Sequence, residues 1–149
     1  MHISEVILEV FDCYCNICAM KFEAYDFPDF EYGRRLLRAP NGDVLAMVEL
    51  TSDLVFNQIS SEFAKIVNRE CIDKIFSITC DPIGGVIPDL SKGIVCPQCG
   101  SSKILRNQYQ PMKIIKKYIP VVSHYKWNLK SNEEKQIEIH KVIQKYCNK

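Results

Sequence analysis

The stretch Cys96-Pro97-Gln98-Cys99-Gly100 and the earlier stretch Cys13-Tyr14-Cys15-Asn16-Ile17-Cys18 decide the fold of this chain. Each contains a Cys-x-x-Cys hook, a spacing at which a tight turn aims two sulfurs at one point. Pro97 presets the φ of such a turn, and Gly100 tolerates the positive φ that follows the second cysteine. Two hooks together offer four thiolates, which is the ligand set of a tetrahedral structural zinc ion.

Strand-like runs surround both hooks: residues 6–11 precede the first, residues 93–95 precede the second, and residues 103–105 form a return run. A strand, a turn with Cys-x-x-Cys and a return strand form the unit called a zinc knuckle. In these segments the chain resembles the zinc ribbon family, with Cys15-x-x-Cys18 matched to Cys96-Pro-x-Cys99-Gly. The resemblance implies knuckles at 13–18 and 96–100, and a structural Zn²⁺ held by Cys15, Cys18, Cys96 and Cys99. The chain departs from the family in an insert of about seventy-five residues, at about 19–93.

Other chemistries of cysteine fit the sequence less well. A single Cys-Pro-x-Cys is also typical of a redox dithiol, but two hooks in one chain favour one shared ion. A deaminase-type catalytic zinc needs His-x-Glu, and none of His2, His124 and His140 has a glutamate two residues on. Cys13 is two residues from Cys15 on a strand and so points to the same side. We interpret Cys13 as a spare thiol or a substitute ligand.

Composition describes an ordinary globular chain of 149 residues, with 47% hydrophobic and 25% charged residues, which we expect to form one domain. No run approaches the roughly 18 apolar residues of a membrane helix, and the start lacks a signal-peptide pattern. We therefore expect a cytoplasmic protein with reduced cysteines, and an excess of isoleucine and lysine favours a bacterial source. Charge is uneven, because residues 1–99 carry 8 basic and 15 acidic residues, whereas residues 100–149 carry 11 and 3. These halves either interleave into ion pairs or form separate functional surfaces.

Residues 22–32 alternate aromatic rings with carboxylates, and Pro28 disfavours a regular helix or central strand there. One interpretation is that the rings pack on the core and the acids are solvated. The other is an acidic, aromatic recognition loop for a basic protein partner. The candidate partner-binding residues are Glu23, Tyr25, Asp26, Asp29 and Glu31.

The remaining pattern predicts an α+β fold in which an antiparallel sheet with a zinc-ribbon-like four-cysteine site is joined by one central helix and a C-terminal helix. An Asn-Gly turn joins strands at 34–38 and 44–50, whose three arginines we expect to be solvated or paired with Asp29 and Glu31. A helix is expected from an N-cap at 51–53 to about Asn68, followed by a strand or short helical turn and strand at 72–80. Ser131 and Glu134 form a capping box that begins the last helix.

Four residues outside the hooks have their own predictions. We expect Cys71 and Cys80 to be small buried hydrophobic residues. Trp127, the only tryptophan, is expected to anchor the core. His124 is interpreted as a pH-sensitive surface group, a fifth candidate ligand or a hydrogen-bonded structural residue.

The sequence contains no phosphate-binding Gly-rich loop, no Gly-x-Ser-x-Gly and no His-Glu-x-x-His, and it offers no evident acid–base pair. We therefore predict a non-catalytic, zinc-binding interaction protein that occupies a protein partner, for example as an immunity or antitoxin protein against a toxin. The alternative is a zinc-ribbon nucleic-acid-binding protein. Its phosphate contacts would be Lys103, Arg106, Lys113, Lys116 and Lys117.

Overall fold

The computed structural model describes residues 1–28, 33–106, 111 and 113–147. Its elements in chain order are β1 (Ile3–Cys15), β2 (Lys21–Asp26), β3 (Arg34–Arg38), β4 (Val44–Glu49), α1 (Leu54–Phe63), α2 (Arg69–Thr79), β5 (Ile104–Arg106), β6 (Lys113–Pro120), α3 (Tyr125–Asn128) and α4 (Asn132–Val142), and α4 continues into a π-helical segment, Ile143–Cys147. The named strands pair only in antiparallel fashion. The predicted α+β class is confirmed.

The long strand β1 is the centre of the larger sheet. β2 pairs with one edge of β1, while β5 and β6 share the other edge. Val6, Leu8 and Val10 are fully buried and alternate with more exposed residues, as expected for a strand with one face on the core. The predicted strand-like run at residues 6–11 lies within β1 and is confirmed. β1 extends to Cys15, so the strand itself carries the first cysteine of the hook.

β3 and β4 form the predicted hairpin, and it lies as a middle layer between the larger sheet and the helices. Leu36 and Met47 pack in a cluster with Val6 and Leu8 of β1. Neighbouring hairpin residues face the other way, into a cluster that contains Phe76 of α2. In the hairpin turn Gly42 has φ 91°, and a Cβ there would lie 3.0 Å from Val95 Cγ2. The turn therefore needs glycine because it approaches the second hook closely.

Residues 51–80 differ from the prediction of one helix followed by a strand. α1 begins at its predicted N-cap, where Asp53 accepts a hydrogen bond from Phe56 N–H, but it ends at Phe63. A second helix, α2, occupies residues predicted to be mainly strand. It begins because Asn68 accepts a hydrogen bond from Cys71 N–H, the geometry of an N-cap.

The C-terminal helix begins at the predicted capping box, where Ser131 and Glu134 exchange hydrogen bonds. Its last segment carries Cys147, which forms a disulfide with Cys71 of α2 across a Cα–Cα distance of 5.7 Å. Cys71 is buried as predicted, but it is a covalent cross-link and not only a small hydrophobic residue. Cys80 is buried with a free thiol, as predicted.

Trp127 is 6% exposed and lies in one apolar cluster with side chains of α1, α2 and α4, so the predicted core anchor is confirmed. Pro120 ends β6, as expected of a residue that cannot donate to a sheet. Within the described ranges, no helix combines the length and the apolar character needed to cross a membrane.

Candidate metal centre

The structure brings the two hooks together. The Sγ atoms of Cys15, Cys18, Cys96 and Cys99 all lie within 4.8 Å of one another. Cys15 Sγ is 3.5 Å from Cys99 Sγ, and Cys18 Sγ is 3.5 Å from Cys96 Sγ. Thiolates bound at about 2.3 Å to a tetrahedral zinc ion stand roughly 3.8 Å apart. The spacing of the four sulfurs is thus compatible with a single bound metal ion.

Both hooks have the same backbone design. In each, the first cysteine accepts a hydrogen bond from the residue four positions on and donates one to the carbonyl of the residue five positions on. The residue four positions on has a positive φ in both cases: 77° at Gly100, as predicted, and 65° at Ala19. Ala19 is the one non-glycine residue with a positive φ in the described ranges. Its strained turn therefore repeats, without glycine, the geometry of the second hook.

Strand pairing holds the hooks side by side. Cys15 lies opposite Ile104 in the antiparallel pair of β1 and β5, the predicted return strand. Next to this pair, Asn16 N–H donates to the carbonyl of Lys103 at 2.9 Å. The second hook thus lies directly before a strand that is anchored to the first.

Backbone N–H groups within the hooks favour thiolates at two of the four positions. Hydrogen bonds from Cys18 and Ile17 N–H lower the pKa of Cys15. Burial opposes ionisation of Cys96, but the N–H groups of Cys99 and Gln98 outweigh it and lower the pKa of Cys96 to about 6.

The other two positions resist ionisation because thiolates already stand beside them. A hydrogen bond from Met20 N–H favours the Cys18 thiolate, yet burial and the neighbouring sulfur of Cys96 raise the pKa of Cys18 to about 12. The pKa of Cys99 is also raised: the N–H of Ser101 favours its thiolate, but burial and the sulfur of Cys15 outweigh it. A cation among the sulfurs would remove this mutual repulsion.

Cys13 lies outside the four-sulfur group. Its thiol is 1% exposed and donates a hydrogen bond to the carbonyl of Phe11 at 3.8 Å. Burial raises the pKa of Cys13, and this keeps it a neutral thiol. Of the two interpretations of Cys13, a spare thiol and a substitute ligand, the geometry favours the spare thiol.

Three of the predicted partner-binding residues lie in β2: Glu23, Tyr25 and Asp26. Asp29 and Glu31 lie outside the described residues. The predicted recognition loop is therefore a regular edge strand as far as Asp26, where pairing with β1 ends. Lys117 Nζ lies 5.1 Å from the centre of the Tyr25 ring, a cation–π distance.

Acidic residues of the first part of the chain pair with basic residues of the last part. Lys113 Nζ is 3.9 Å from Glu23 Oε2, and Arg106 Nη2 is 3.3 Å from Asp26 Oδ2. Two candidate phosphate contacts thus already face two candidate partner-binding carboxylates. The other three candidates, Lys103, Lys116 and Lys117, are exposed.

Of the three interpretations of His124, the structure supports the hydrogen-bonded structural residue. Its Nε2 lies 2.8 Å from Asp53 Oδ2, and its Nδ1 lies 3.0 Å from the carbonyl of Thr79. Both neighbours are acceptors, so both ring nitrogens donate when the imidazole is protonated. His124 is not part of the sulfur group.

Sequence reasoning missed the burial of Arg38, which is only 4% exposed although arginine is usually a surface residue. Its position in a hairpin strand with Leu36 and Leu37 was a signal for partial burial, but the residues that cover it are distant in sequence.

Comparison of the chain with protein-family models, with curated proteins and with solved structures finds no match in any of the three.

Proposed function

We propose that this chain is a non-catalytic binding protein whose fold is closed by one Zn²⁺ ion, held by Cys15, Cys18, Cys96 and Cys99. The observation that carries the proposal is the convergence of four sulfurs from two hooks that are far apart in sequence. An all-sulfur tetrahedral site selects zinc or iron among common metals, and zinc is the usual ion of structural four-cysteine sites.

The proposed ion is structural because four protein ligands leave no open position for a water or a substrate. It joins the end of β1 to the segment before β5, two places that the polypeptide connects only through the long insert and that the β1–β5 strand pair holds next to each other. Metal binding and folding are then one process, since the unfolded chain does not hold the ligands together.

Elemental analysis of the purified native protein tests the proposal. We expect one zinc per chain, and loss of both zinc and cooperative folding after prolonged treatment with a strong chelator. The double variant Cys96→Ser/Cys99→Ser should lose the metal, whereas the control Cys13→Ser should keep it, because Cys13 lies outside the sulfur group. Iron in place of zinc, metal retained by the double variant, or unchanged folding after complete metal loss would each contradict the proposal.

The binding role is proposed to involve a protein partner, as the sequence suggests, with immunity or antitoxin activity as its specific form. The candidate contacts that the structure describes lie in β2. Of these, Glu23 and Asp26 already form ion pairs with a lysine and an arginine of this chain, and this limits which partner can bind them. A basic partner must compete with Lys113 and Arg106 for these carboxylates.

Co-purification with the product of a neighbouring gene, followed by titration of the isolated pair, tests this role. Glu23→Gln/Asp26→Asn should weaken the complex, and the control pair Glu133→Gln/Glu138→Gln on α4 should not. Absence of binding at micromolar concentration, or equal effects of both double variants, would count against it. Either outcome would leave the zinc proposal unaffected, because the metal content is measured separately.

A further inference from the structure

A cavity of about 420 Å³ lies between β3, the segment before the second hook, and β5. Its wall contains five cations and one carboxylate, together with apolar side chains. The charged lining residues are Arg34, Arg35, Arg38, Lys92, Arg106 and Asp26. We propose that this cavity binds a small molecule through a phosphate group.

Three of the five cations already have a carboxylate partner. The ion pairs are Arg34 with Glu49 at 3.0 Å, Arg35 with Asp73 at 2.8 Å, and Arg106 with Asp26 at 3.3 Å.

Arg38 and Lys92 have no carboxylate partner within the described part of the chain. The described wall therefore keeps two positive charges after its ion pairs are counted. A phosphate monoester, which carries close to two negative charges at neutral pH, matches this excess better than a carboxylate does.

Arg38 is the strongest evidence for a missing anion. It is 4% exposed, and its guanidinium donates to two neutral carbonyls, those of Gly42 at 3.2 Å and Tyr25 at 2.6 Å. Carbonyl oxygens satisfy hydrogen bonds but do not neutralise a charge. Burial lowers the pKa of Arg38, yet a guanidinium stays protonated in proteins. The charge of Asp26 offsets the cost of burying this cation only in part, since Asp26 is itself paired with Arg106, and an anion in the adjoining cavity would offset more of it.

Arg35 supplies a second unsatisfied group at the same cavity. Its Nη2 donates to the carbonyl of Leu90 and to Asp73, but its Nη1 is buried with no hydrogen-bond partner. Asp73 Oδ1 is likewise unpartnered, so this ion pair is made by one oxygen only. Because Arg35 Nη1 is buried, a ligand oxygen could serve as its acceptor only after a shift of the Arg35 side chain, so Arg35 contributes chiefly positive charge to the wall.

The second hook frames the cavity from both sides. Lys92, Gly93 and Ile94 precede Cys96, while Ser102 and Ile104 follow Cys99, and all five line the wall. The apolar members of the wall, including Phe27 and Leu36, suit an organic group attached to the phosphate. The inferred ligand is therefore an organic phosphate.

Calorimetric titration of the metal-replete protein with phenyl phosphate, inorganic phosphate and benzoate tests the inference. We expect phenyl phosphate to bind most tightly, inorganic phosphate more weakly and benzoate least. Lys92→Met should weaken phenyl phosphate binding about tenfold, the usual effect of one charge-assisted hydrogen bond. Lys65→Met makes the same change at an exposed lysine outside the cavity, and it should bind like the wild type.

Arg38→Met should abolish binding, because it removes the buried guanidinium from the cavity wall. If this variant does not fold, Lys92→Met and its control decide the matter alone. No saturable binding of phenyl phosphate at millimolar concentration, tighter binding of benzoate, or equal affinity of the two lysine variants would overturn the inference. The metal content of each sample, measured in parallel, separates failure of this site from failure of the zinc proposal.

Discussion

Ala19 and Gly100 occupy equivalent positions in the two hooks, yet only Gly100 has the residue type that a positive φ favours. A left-handed conformation costs a residue with Cβ about 1–2 kcal/mol, while glycine adds about 0.4–1 kcal/mol of entropy to the unfolded chain. The first hook is therefore slightly strained and the second is not. Both residues close the turn around a candidate metal ligand.

Ala19→Gly should raise the free energy of unfolding by about 0.5–1 kcal/mol, and Gly100→Ala should lower it by a similar amount. A Cβ at Gly100 meets no atom within 4 Å, so the second change reports backbone strain alone. Urea unfolding of the metal-replete proteins measures both. Changes of the same sign in the two variants would contradict the shared geometry.

His124 and Asp53 form a mostly buried pair whose side chains are 10% and 11% exposed. Burial by itself would lower the pKa of His124, but the hydrogen bond and charge of Asp53 outweigh it and raise this pKa above 6.5. Burial would raise the pKa of Asp53, but the hydrogen bonds from His124 and Phe56 N–H lower it below 3.8.

The pair therefore stabilises the fold fully between the two ordinary values, from about pH 4 to 6.5. Its contribution is lost as pH rises through the raised pKa of His124, and again as pH falls through the lowered pKa of Asp53. We expect the free energy of unfolding in the wild type to decrease as pH rises from about 6.5 through the raised pKa of His124. In His124→Gln this slope should flatten, whereas the exposed His140→Gln should keep it, as measured by urea unfolding with zinc in excess. An unchanged slope in His124→Gln would show that the pair does not set the pH dependence.

At the scale of elements, α2 depends on a cap that is easy to overlook in the sequence. Asn68 follows what reads as a continuous helix, and the isoleucines of residues 72–78 are typical of a strand. The buried positions Cys71, Ile72, Ile75 and Phe76 nevertheless recur at helical spacing.

Asn68→Ala should destabilise the protein by about 1 kcal/mol, because it removes the side-chain acceptor for Cys71 N–H. Asn68→Asp should retain most of the stability, since its carboxylate accepts the same hydrogen bond. Thermal unfolding of both variants, with Gln58→Ala as an exposed control on α1, measures the difference. Equal losses for alanine and aspartate would argue against the cap.

Local signals predicted most of the elements. The alternation in β1, the turn at Gly42 and the capping box of α4 each depend on residues close in sequence, and each is confirmed. The two hooks were matched across a long insert because Cys-x-x-Cys spacing carries its own chemistry. No comparable signal linked Cys71 to Cys147 or predicted the burial of Arg38, since both depend on which distant elements meet.

At the scale of the whole molecule, the disulfide fixes the end of the chain to α2 over a sequence separation of 76 residues. A cross-link over such a loop stabilises a protein by about 2–4 kcal/mol, mainly by restricting the unfolded chain. It also places an oxidised pair in the same protein as four candidate metal-binding thiols. The expectation that all eight cysteines are reduced is not met in this structure.

Cys147→Ser should lower the free energy of unfolding by about 2–4 kcal/mol under non-reducing conditions and have little effect under reduction. Urea unfolding in the two conditions measures the change. Mass spectrometry after alkylation of the unfolded, unreduced chain supplies the control. Alkylation of both Cys71 and Cys147 in the wild type would contradict the disulfide.

The sulfur group and the disulfide interlock along the sequence, because Cys71 lies between the two hooks and Cys147 lies beyond them. With an ion bound, three chain segments connect the metal site to the disulfide: residues 18–71, 71–96 and 99–147. A cut in any one of them leaves the chain in one piece. When the two ends are pulled apart, the extension stops increasing once the shortest of these three segments, 71–96, is fully stretched. The length of that segment would then set the extension of the pulled chain. Removal of the ion or reduction of the disulfide would each allow a longer extension.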